Sequence, residues 1–240
     1  MKILRFDTCT STNDVIRTQH DDMLLAVALG QTSGRGQRGN VWVSDYGKNL
    51  LFSISVLPVA LLASDAFILS QVMALSVYAA LSQSMPGRPL SIKWPNDIYV
   101  GNRKICGILI ENDLQGKRVV RSILGCGINV NQTVFPEGLA VPATSVALEL
   151  GHEVECDALL MSVSDSFRYY YSRLHSGELA SLRQEYHSHL YMQGTVARFE
   201  DAGGIFLGTI SHVENDGHLV IEDAEGVQHR YAFKEVKMIL

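Results

Sequence analysis

Residues 93–111 read KWPNDIYVGNRKICGILIE. Two lysines, Lys93 and Lys104, and one carboxylate, Asp97, stand beside a rigid Trp94-Pro95 step. Proline restricts the backbone before it to extended conformations and removes an amide donor. Surface strands seldom combine these residue types, so the stretch indicates a binding site.

The same stretch contains its own turn. Gly101 and Asn102 permit a tight reversal, so a strand ending near Val100 is predicted to pair with one running from Lys104 to Glu111. That pairing would place Lys93 and Lys104 in one neighbourhood.

Composition sets the class of protein. The chain has 240 residues, of which 47 % are hydrophobic, and this is enough for a large core or for a large and a small domain. A net charge of -5 gives no electrostatic case for a nucleic-acid-binding protein, which needs a concentrated positive surface, although a local basic pocket remains an alternative. The apolar stretch 64–81 is interrupted by Asp65, Gln71 and Ser76, which predicts a core helix and no membrane span.

The cysteines and histidines carry little site information. The four cysteines form no CxxC pair and no apolar leader precedes them, so we expect buried thiols in a reducing cytoplasm. Cys106 and Cys126 stand in apolar strands without an evident base, which favours structural thiols over nucleophiles. The eight histidines show no metal-ligand spacing, so no structural metal is expected. Tyr169, Tyr170 and Tyr171 fit a helix surface that packs, with one ring exposed.

Hydrophobic patterns predict alternating strands and helices before residue 190. The predicted strands are Leu24–Leu29, Asn49–Leu57, Lys104–Asn112 and Val119–Val130. The predicted helices are Asn13–Thr18, Asp65–Gln83, Asp157–Leu174 and Glu178–His187. Ser11 and Asp14 fit a capping box at the start of the first helix.

The pattern changes near residue 190 to short strands separated by turns. The predicted strands there are Thr195–Glu200, Ile205–Val213, His218–Glu222 and Gln228–Phe233. A meander of about 50 residues indicates a small barrel. We therefore predict two domains, 1–189 and 190–240.

Residues 34–39, GRGQRG, match the GxGxxG pattern of dinucleotide-binding turns. That fingerprint needs a helix to open at its third glycine, whereas the residues that follow have strand and turn character. A loop that closes over an anion fits better, because Arg35 and Arg38 supply forked donors. A solvated surface loop remains an alternative. For residues 125–131, GCGINVN, a ligand pocket at a strand end and a plain turn are both open.

Taken together, these segments resemble the biotin protein ligase family. The resemblance rests on Ser11-Thr12-Asn13, on Gln31 followed by GRGQRG and Trp42, on KWPND at 93–97, on Lys104 with Gly107-Ile108-Leu109, and on GCGINVN. No single motif is decisive, but the ordered set is specific and covers nearly the whole chain.

The resemblance implies an α+β fold. Its catalytic domain would have a mixed sheet similar to that of class II aminoacyl-tRNA synthetases, and a small SH3-like β-barrel would follow. The implied reaction joins biotin to ATP as biotinoyl-5'-AMP with release of pyrophosphate, with Mg present. The biotinoyl group then passes to a lysine of a biotin carboxyl carrier protein or a biotin-dependent carboxylase subunit. A cytoplasmic enzyme that binds neither DNA nor a membrane is implied, and a homodimer is left open.

The resemblance also implies roles for individual residues. Lys104, Arg35 and Lys93 would be catalytic. The implied biotin-binding residues are Ser11, Thr12, Asn13, Gln31, Arg35, Gly36, Gln37, Lys104, Gly107, Gly125 and Gly127. The implied ATP and Mg residues are Arg38, Trp42, Lys93, Asn96, Asp97 and Asn129.

Two departures from the family pattern matter. Members often carry arginine where this chain has Gln37 and Asn40, so we hypothesise increased leakage of the adenylate. Only ten residues precede Ser11, so we expect no N-terminal winged helix. Lipoate or octanoate ligases and transferases of the same architecture remain an alternative, as does a non-catalytic module whose tail barrel binds a protein or RNA.

Overall fold

The strands of the first half form one mixed sheet. A computed structural model describes residues 1–39, 41–139 and 141–239, without the side chain of Arg38. The seven strands of this sheet are β1 (Lys2–Cys9), β2 (Leu24–Gln31), β3 (Leu50–Val56), β4 (Leu90–Lys93), β5 (Asp97–Val100), β6 (Arg103–Gln115) and β7 (Arg118–Ile128). Their order is β1-β2-β3-β7-β6-β5-β4, with β1 and β2 parallel and the other neighbours antiparallel.

The helices cover the two faces of this sheet unequally. They are α1 (Thr12–Arg17), α2 (Phe67–Ser84), α3 (Val146–Leu150), α4 (Cys156–His175) and α5 (Leu179–Ser188). Alternate residues of a strand face opposite sides, and on β3 Phe52 and Ile54 belong to the main core with α2. Ser53, between them, faces α1 and bonds to it. The sheet therefore has one thickly covered face and one face that α1 covers only in part.

Helix α2 is the central helix of the core, as predicted. Within the described residues, Ala63–Ser84 is the one helical segment long and apolar enough to cross a membrane. Its burial inside the fold, 61 % of the apolar window, is typical of a core helix.

Five strands of the second half form an antiparallel sheet. They are β8 (Val196–Asp201), β9 (Gly204–Val213), β10 (Leu219–Asp223), β11 (Gln228–Tyr231) and β12 (Lys237–Ile239). Their order is β11-β10-β9-β8-β12, and no pairing joins β11 to β12 in the part of the chain that the structure describes. The sheet is therefore not closed into a barrel in these residues, since β12 is three residues long and pairs with β8 alone, and the SH3-like barrel stays a prediction.

Several contacts connect the first sheet and α5 to the residues after 189. Ile92 forms a parallel bridge with Leu190, Trp94 Nε1 donates to the Gly217 carbonyl at 2.8 Å, and His187 Nε2 lies 3.2 Å from the Val213 amide nitrogen and 3.1 Å from its carbonyl oxygen. The division of the chain into domains at 189 and 190 stays a prediction.

Each predicted strand and helix lies on an observed element, and their ends differ by at most three residues. The hairpin predicted from residues 93–111 is confirmed, since Val100 pairs with Arg103 and Asp97 with Gly107. The elements that we did not predict are β1, β4, α3 and β12.

Two further expectations hold only in part. Cys106 and Cys126 are buried thiols, with their Sγ atoms 3.4 Å apart. The expectation is wrong for Cys9 and Cys156, which are half-buried because they lie at the end of β1 and at the start of α4.

The three adjacent tyrosines follow the prediction. Tyr170 and Tyr171 pack in the core of the fold, whereas Tyr169 is 58 % exposed.

Candidate active site

A register row across the first sheet sets the floor of the site. It runs from Leu51 on β3 through Gly127, Gly107 and Asp97 to Lys93 on β4. Residues paired in register project to the same face of a sheet. The row therefore presents two glycines, a carboxylate and a lysine on the face that α1 only partly covers.

A parallel row two residues away completes this floor. Ser53 pairs with Gly125, and Gly125 pairs with Leu109. Above the two rows lies a cavity of about 740 Å³. The predicted site residues that line it are Ser11, Thr12, Asn13, Gln31, Arg35, Gly36, Gln37, Trp42, Lys93, Asn96, Asp97, Lys104, Gly107, Gly125 and Gly127.

No side chain would fit on the glycine floor. A Cβ added at Gly125 would lie 2.3 Å from Asn13 Oδ1, and one at Gly127 would lie 2.5 Å from Trp42 Cε2. At Gly107 the added atom would lie 2.8 Å from Trp42 Cζ3. The Trp42 indole thus rests directly on β6 and β7, and its Nε1 has no hydrogen-bond partner among the described residues.

Polar side chains close one end of the cavity. Gln31 Oε1 accepts from the Thr12 amide at 2.7 Å and from Thr12 Oγ1 at 3.2 Å. The predicted capping box is therefore wrong: Ser11 is the N-cap of α1, but its side chain makes no capping bond. Gln31 satisfies a helix amide instead, which leaves the buried Ser11 hydroxyl at the cavity wall.

Sequence reasoning missed two residues that hold this polar end. Ser53 Oγ lies 2.7 Å from Thr12 Oγ1 and 2.6 Å from Asn13 Oδ1. Glu111 accepts from Asn13 Nδ2 at 2.7 Å. Ser53 alternates with apolar residues on a buried strand, and this pattern was the available signal for a polar group facing a site.

Charged groups line the other end. Lys104 Nζ lies 2.8 Å from Asp97 Oδ1 and 5.5 Å from the centre of the Trp42 ring. Burial raises the pKa of Asp97, and Lys104 and Lys93 oppose that rise. Burial likewise lowers the pKa of Lys93, with the Asp97 charge opposing. The hairpin thus brings both lysines to one carboxylate.

The glycine-rich loop folds back across the cavity. Arg35 forms an antiparallel bridge with Val41, and the Trp42 amide donates to the Gly34 carbonyl at 3.0 Å. Residues Gln37–Gly39 form a short 3-10 turn and Val41 bridges to Arg35, so no α-helix is present at the third glycine among the described residues. The arrangement disagrees with a dinucleotide-binding turn, as predicted. The side chain of Arg38 and residue Asn40 lie outside the described part of the chain.

Two predicted amides are engaged in holding the backbone. Asn96 Nδ2 donates to the Ile108 carbonyl at 2.7 Å, although Asn96 still lines the cavity. Asn129 is buried, and its Nδ2 donates to the Thr144 carbonyl at 3.0 Å. The structure does not bring Asn129 to the cavity wall.

The second sheet supplies a wall that the sequence did not predict. Phe233, Lys234 and Lys237 line the cavity, and so does Tyr191 from the preceding segment. Tyr99 also lines it, and its buried hydroxyl has no partner among the described residues. These contributions arise from packing of distant segments, which periodicity does not encode.

A separate group of possible metal ligands lies in the turn between β9 and β10. Glu214, Asp216 and His218 place one ligand atom each within 4.8 Å of one another. Arg230 forms ion pairs with both carboxylates. The Arg230 guanidinium therefore already neutralises the carboxylate charge that would otherwise attract a metal cation.

Comparison with known proteins places this site in a family. The profile described as "Biotin/lipoate A/B protein ligase family" matches residues 5–129. The biotin--[acetyl-CoA-carboxylase] ligase of Paracoccus denitrificans is 32 % identical over 214 residues, which cover 84 % of this chain and 85 % of that protein. This chain belongs to the biotin/lipoate A/B protein ligase family.

Other members of the family show how far the likeness extends. The bifunctional ligase/repressor BirA of Bacillus spizizenii is 30 % identical over 210 residues, which cover 87 % of this chain but 64 % of that protein. The structure of biotin protein ligase from Aquifex aeolicus in complex with biotin and ATP superposes with a TM-score of 0.83 at 25 % identity, covering 99 % of this chain and 98 % of that one. The α+β fold of a mixed sheet and an antiparallel sheet is thus a biotin protein ligase fold.

Proposed function

We propose that this chain is a biotin protein ligase. It would activate biotin with ATP to biotinoyl-5'-AMP and then biotinylate a lysine of an acceptor protein. One observation carries the proposal. A single cavity has hydroxyl and amide groups at one end, glycines along its floor and lysines at the other end. Its relatives from P. denitrificans and A. aeolicus, named for biotin ligation, support the same reaction.

The polar end suits the ureido ring of biotin. That ring presents one carbonyl acceptor and two N–H donors. Ser11 supplies a hydroxyl donor, Gln31 Nε2 supplies an amide donor, and the Asn13 amide keeps a second N–H and a second lone pair, whereas the Thr12 hydroxyl donates to Gln31 Oε1. The glycines at 107 and 127 let the Trp42 indole lie against the strands, and the glycine at 125 leaves space for the Asn13 amide, so the bicyclic ring would meet the Trp42 indole as an apolar wall.

The charged end suits the first step. A carboxylate oxygen of biotin attacks the α-phosphorus of ATP, the bond to the oxygen of the β-phosphate breaks, and pyrophosphate leaves. Two anions must approach each other, so fixed cations stabilise the transferring phosphorus. Lys104 would contact the carboxylate and α-phosphate, while Lys93 and Arg35 would offset the remaining charge.

The second step needs alignment and exclusion of water. The acceptor amine attacks the acyl carbon, AMP leaves, and the amine loses a proton. The loop of residues 34–42 would cover the hydrolysable adenylate until the amine arrives. No side chain of this protein forms a covalent bond in either step.

Asp97 and Asn96 fit a magnesium ion that arrives with the nucleotide. Mg²⁺ prefers oxygen ligands and is commonly held by one or two carboxylates with substrate phosphates. Asp97 is a cavity-lining carboxylate, and Asn96 retains an amide oxygen beside it. When bound, the ion would offset phosphate charge.

The proposal extends to the setting of the enzyme. The acceptor would be a biotin carboxyl carrier protein or a biotin-dependent carboxylase subunit, as the name of the P. denitrificans relative supports. We retain an SH3-like classification for the second sheet, in view of its five short antiparallel strands. A cytoplasmic enzyme without DNA or membrane binding also belongs to the proposal, and a homodimer stays open.

The cavity does not favour the octanoyl-transferring alternative. Those enzymes use a cysteine nucleophile, and Cys126 is the cysteine that lines this cavity in the described residues. Burial raises its pKa, and its Sγ lies beside that of Cys106 in the core. A thiol held neutral is a poor nucleophile.

Pyrophosphate release tests the proposal directly. The chain is incubated with ATP and Mg, and with biotin, lipoate or octanoate added separately. Turnover with biotin is expected. Turnover with lipoate alone would contradict the proposal, and no pyrophosphate with any acid would favour the binding-module alternative.

A further inference from the structure

Glu111 does not line the cavity, yet its carboxylate contacts two residues that do. It lies on β6, and its carboxylate accepts from Asn13 Nδ2 at 2.7 Å. The same carboxylate lies 3.5 Å from Arg35 and 3.0 Å from Arg17. One carboxylate thus joins the polar end of the cavity to the glycine-rich loop.

The contact with Asn13 decides how that amide points. Ser53 Oγ lies 2.6 Å from Asn13 Oδ1, and Glu111 accepts from Asn13 Nδ2. A carboxylate only accepts, so the nitrogen must face Glu111. Asn13 is 3 % exposed, so water does not substitute for these partners. The donor and acceptor that Asn13 offers a ligand are therefore fixed before the ligand binds.

The contact with Arg35 reaches the loop. Arg35 Nη2 lies 2.7 Å from Asp14 and 3.5 Å from Glu111. Asp14 follows Asn13 in α1. The guanidinium that would face the adenylate is thereby attached to the helix that holds the ring.

We propose that Glu111 is a positioning residue that orients the Asn13 amide for the ureido ring and couples ring binding to the Arg35 loop. The inference rests on the proposed biotin ligase function. It assigns Glu111 an action through Asn13 and Arg35 and no contact with substrate.

The neighbouring carboxylate Asp113 provides a matched control. It lies two residues along the same strand, 3.4 Å from Arg17 and 2.5 Å from Arg121. Within the described part of the chain its contacts are with Arg17 and Arg121, and it forms no hydrogen bond or ion pair with Asn13 or Arg35. Asp113→Asn therefore perturbs the same network of ion pairs without removing a contact to Asn13 or Arg35.

The test measures biotin binding by calorimetry without ATP, and then the KM values for biotin and ATP in pyrophosphate release. Glu111→Ala should raise the biotin Kd roughly tenfold or more, the size expected for a lost charge-assisted hydrogen bond, and should raise the ATP KM by a smaller factor through Arg35. Glu111→Gln keeps an amide oxygen for Asn13 and should stay within about threefold of the wild type. Asp113→Asn should match the wild type.

Ser53→Ala keeps the inference testable if Glu111→Ala does not fold. It removes the bond at the other end of the same amide and should raise the biotin Kd without changing the ATP KM. A Glu111→Ala Kd equal to that of Asp113→Asn, or a Glu111→Gln loss as large as that of Glu111→Ala, would overturn the orienting role. A wild-type chain that neither binds biotin nor releases pyrophosphate would instead overturn the proposed function.

A double-variant cycle tests the coupling to the loop. Arg35→Ala should change the biotin Kd less in the Glu111→Ala background than in the wild type, because the carboxylate that Arg35 contacts is already absent there. If the two substitutions change the biotin Kd additively within error, Arg35 is not coupled to biotin binding through Glu111.

Discussion

Gly125 is glycine because a neighbouring side chain occupies the space where its Cβ would be. An added Cβ would lie 2.3 Å from Asn13 Oδ1, well inside the contact distance of real atoms. Asn13 is buried and bonded at both ends of its amide, so it cannot turn aside without losing those bonds.

Gly125→Ala is therefore expected to weaken biotin binding by roughly tenfold or more, since it displaces an amide with charge-assisted bonds. Calorimetric titration with biotin checks this expectation. Gly203→Ala is the control, because Gly203 lies on an exposed turn of the second sheet and an added Cβ would lie 3.2 Å from Asp201 Oδ1. Equal affinities for the two variants would remove Gly125 from the site.

Lys104→Ala should leave the fold intact and lose adenylate formation. The residue is partly exposed and carries little packing, but its Nζ is the cation nearest Asp97. Loss of one charge-stabilising donor costs about 10²–10³ in kcat. Pyrophosphate release is the measurement, with Lys48→Ala, an exposed lysine paired with Glu153, as the control. Near-normal release from Lys104→Ala would exclude it from the chemistry.

Gln37→Arg tests the hypothesis of adenylate leakage. Gln37 lines the cavity in the glycine-rich loop, and an arginine there would add a forked donor for phosphate. We expect the variant to release less free biotinoyl-adenylate without acceptor protein, measured as AMP formed per pyrophosphate. Wild-type leakage no greater than that of a ligase with arginine at both positions would contradict the hypothesis.

At the scale of elements, the sequence was most informative where periodicity was strong. Strands such as β3 and helices such as α2 are predictable because apolar runs bounded by turn residues leave few alternatives. Strand β1 was missed because charged and polar residues interrupt it at the sheet edge, and β12 because it has three residues.

The site was predictable by residue type but not by geometry. The motifs named most of the lining residues, yet the row from Leu51 to Lys93 depends on the register of five strands. Register is fixed by turns and by long-range pairing, which one sequence does not display. Ser53 and Glu111 were missed for this reason, because each acts through a partner distant in the chain.

The joint between α5 and the second sheet should be sensitive to pH. His187 is partly buried on α5, and its Nε2 lies 3.2 Å from the Val213 amide nitrogen and 3.1 Å from the Val213 carbonyl oxygen. Burial lowers the pKa of His187, the Val213 carbonyl opposes this, and the charges of His212 and Arg183 add to the lowering. The folded state thus binds a proton less readily than the unfolded chain. Stability is full above the ordinary pKa of about 6.5 and falls as the pH drops below it.

Melting temperatures at pH 7.5 and 5.5 measure this effect. The melting temperature of the wild type should fall more between pH 7.5 and pH 5.5 than that of His187→Gln, because the glutamine amide does not titrate. His189→Gln is a useful second variant, since burial also lowers the pKa of His189. An equal loss in the wild type and both variants would show that the joint does not contribute.

At the scale of the whole molecule, Trp94 ties the two sheets together. Its Nε1 donates to the Gly217 carbonyl, and its ring meets Phe233 edge-on at 6.1 Å. Because Phe233 also lines the cavity, the position of the second sheet affects the site.

Trp94→Phe should retain an aromatic ring but lose the hydrogen bond, at a cost of about 1 kcal/mol in the free energy of unfolding. Chemical denaturation checks this value, with Tyr169→Phe on an exposed ring as the control. A variant as stable as the control would show that the indole bond does not join the sheets.

The glycine floor also limits how this pocket can be redesigned. Enlarging a binding site usually means shortening a side chain, but positions 107, 125 and 127 have none to shorten. Room for a bulkier acid must come from the walls, above all from Trp42, whereas any substitution in the floor can only make the pocket smaller. Variants for larger biotin analogues should therefore be sought in the loop that carries Trp42 and not in the sheet.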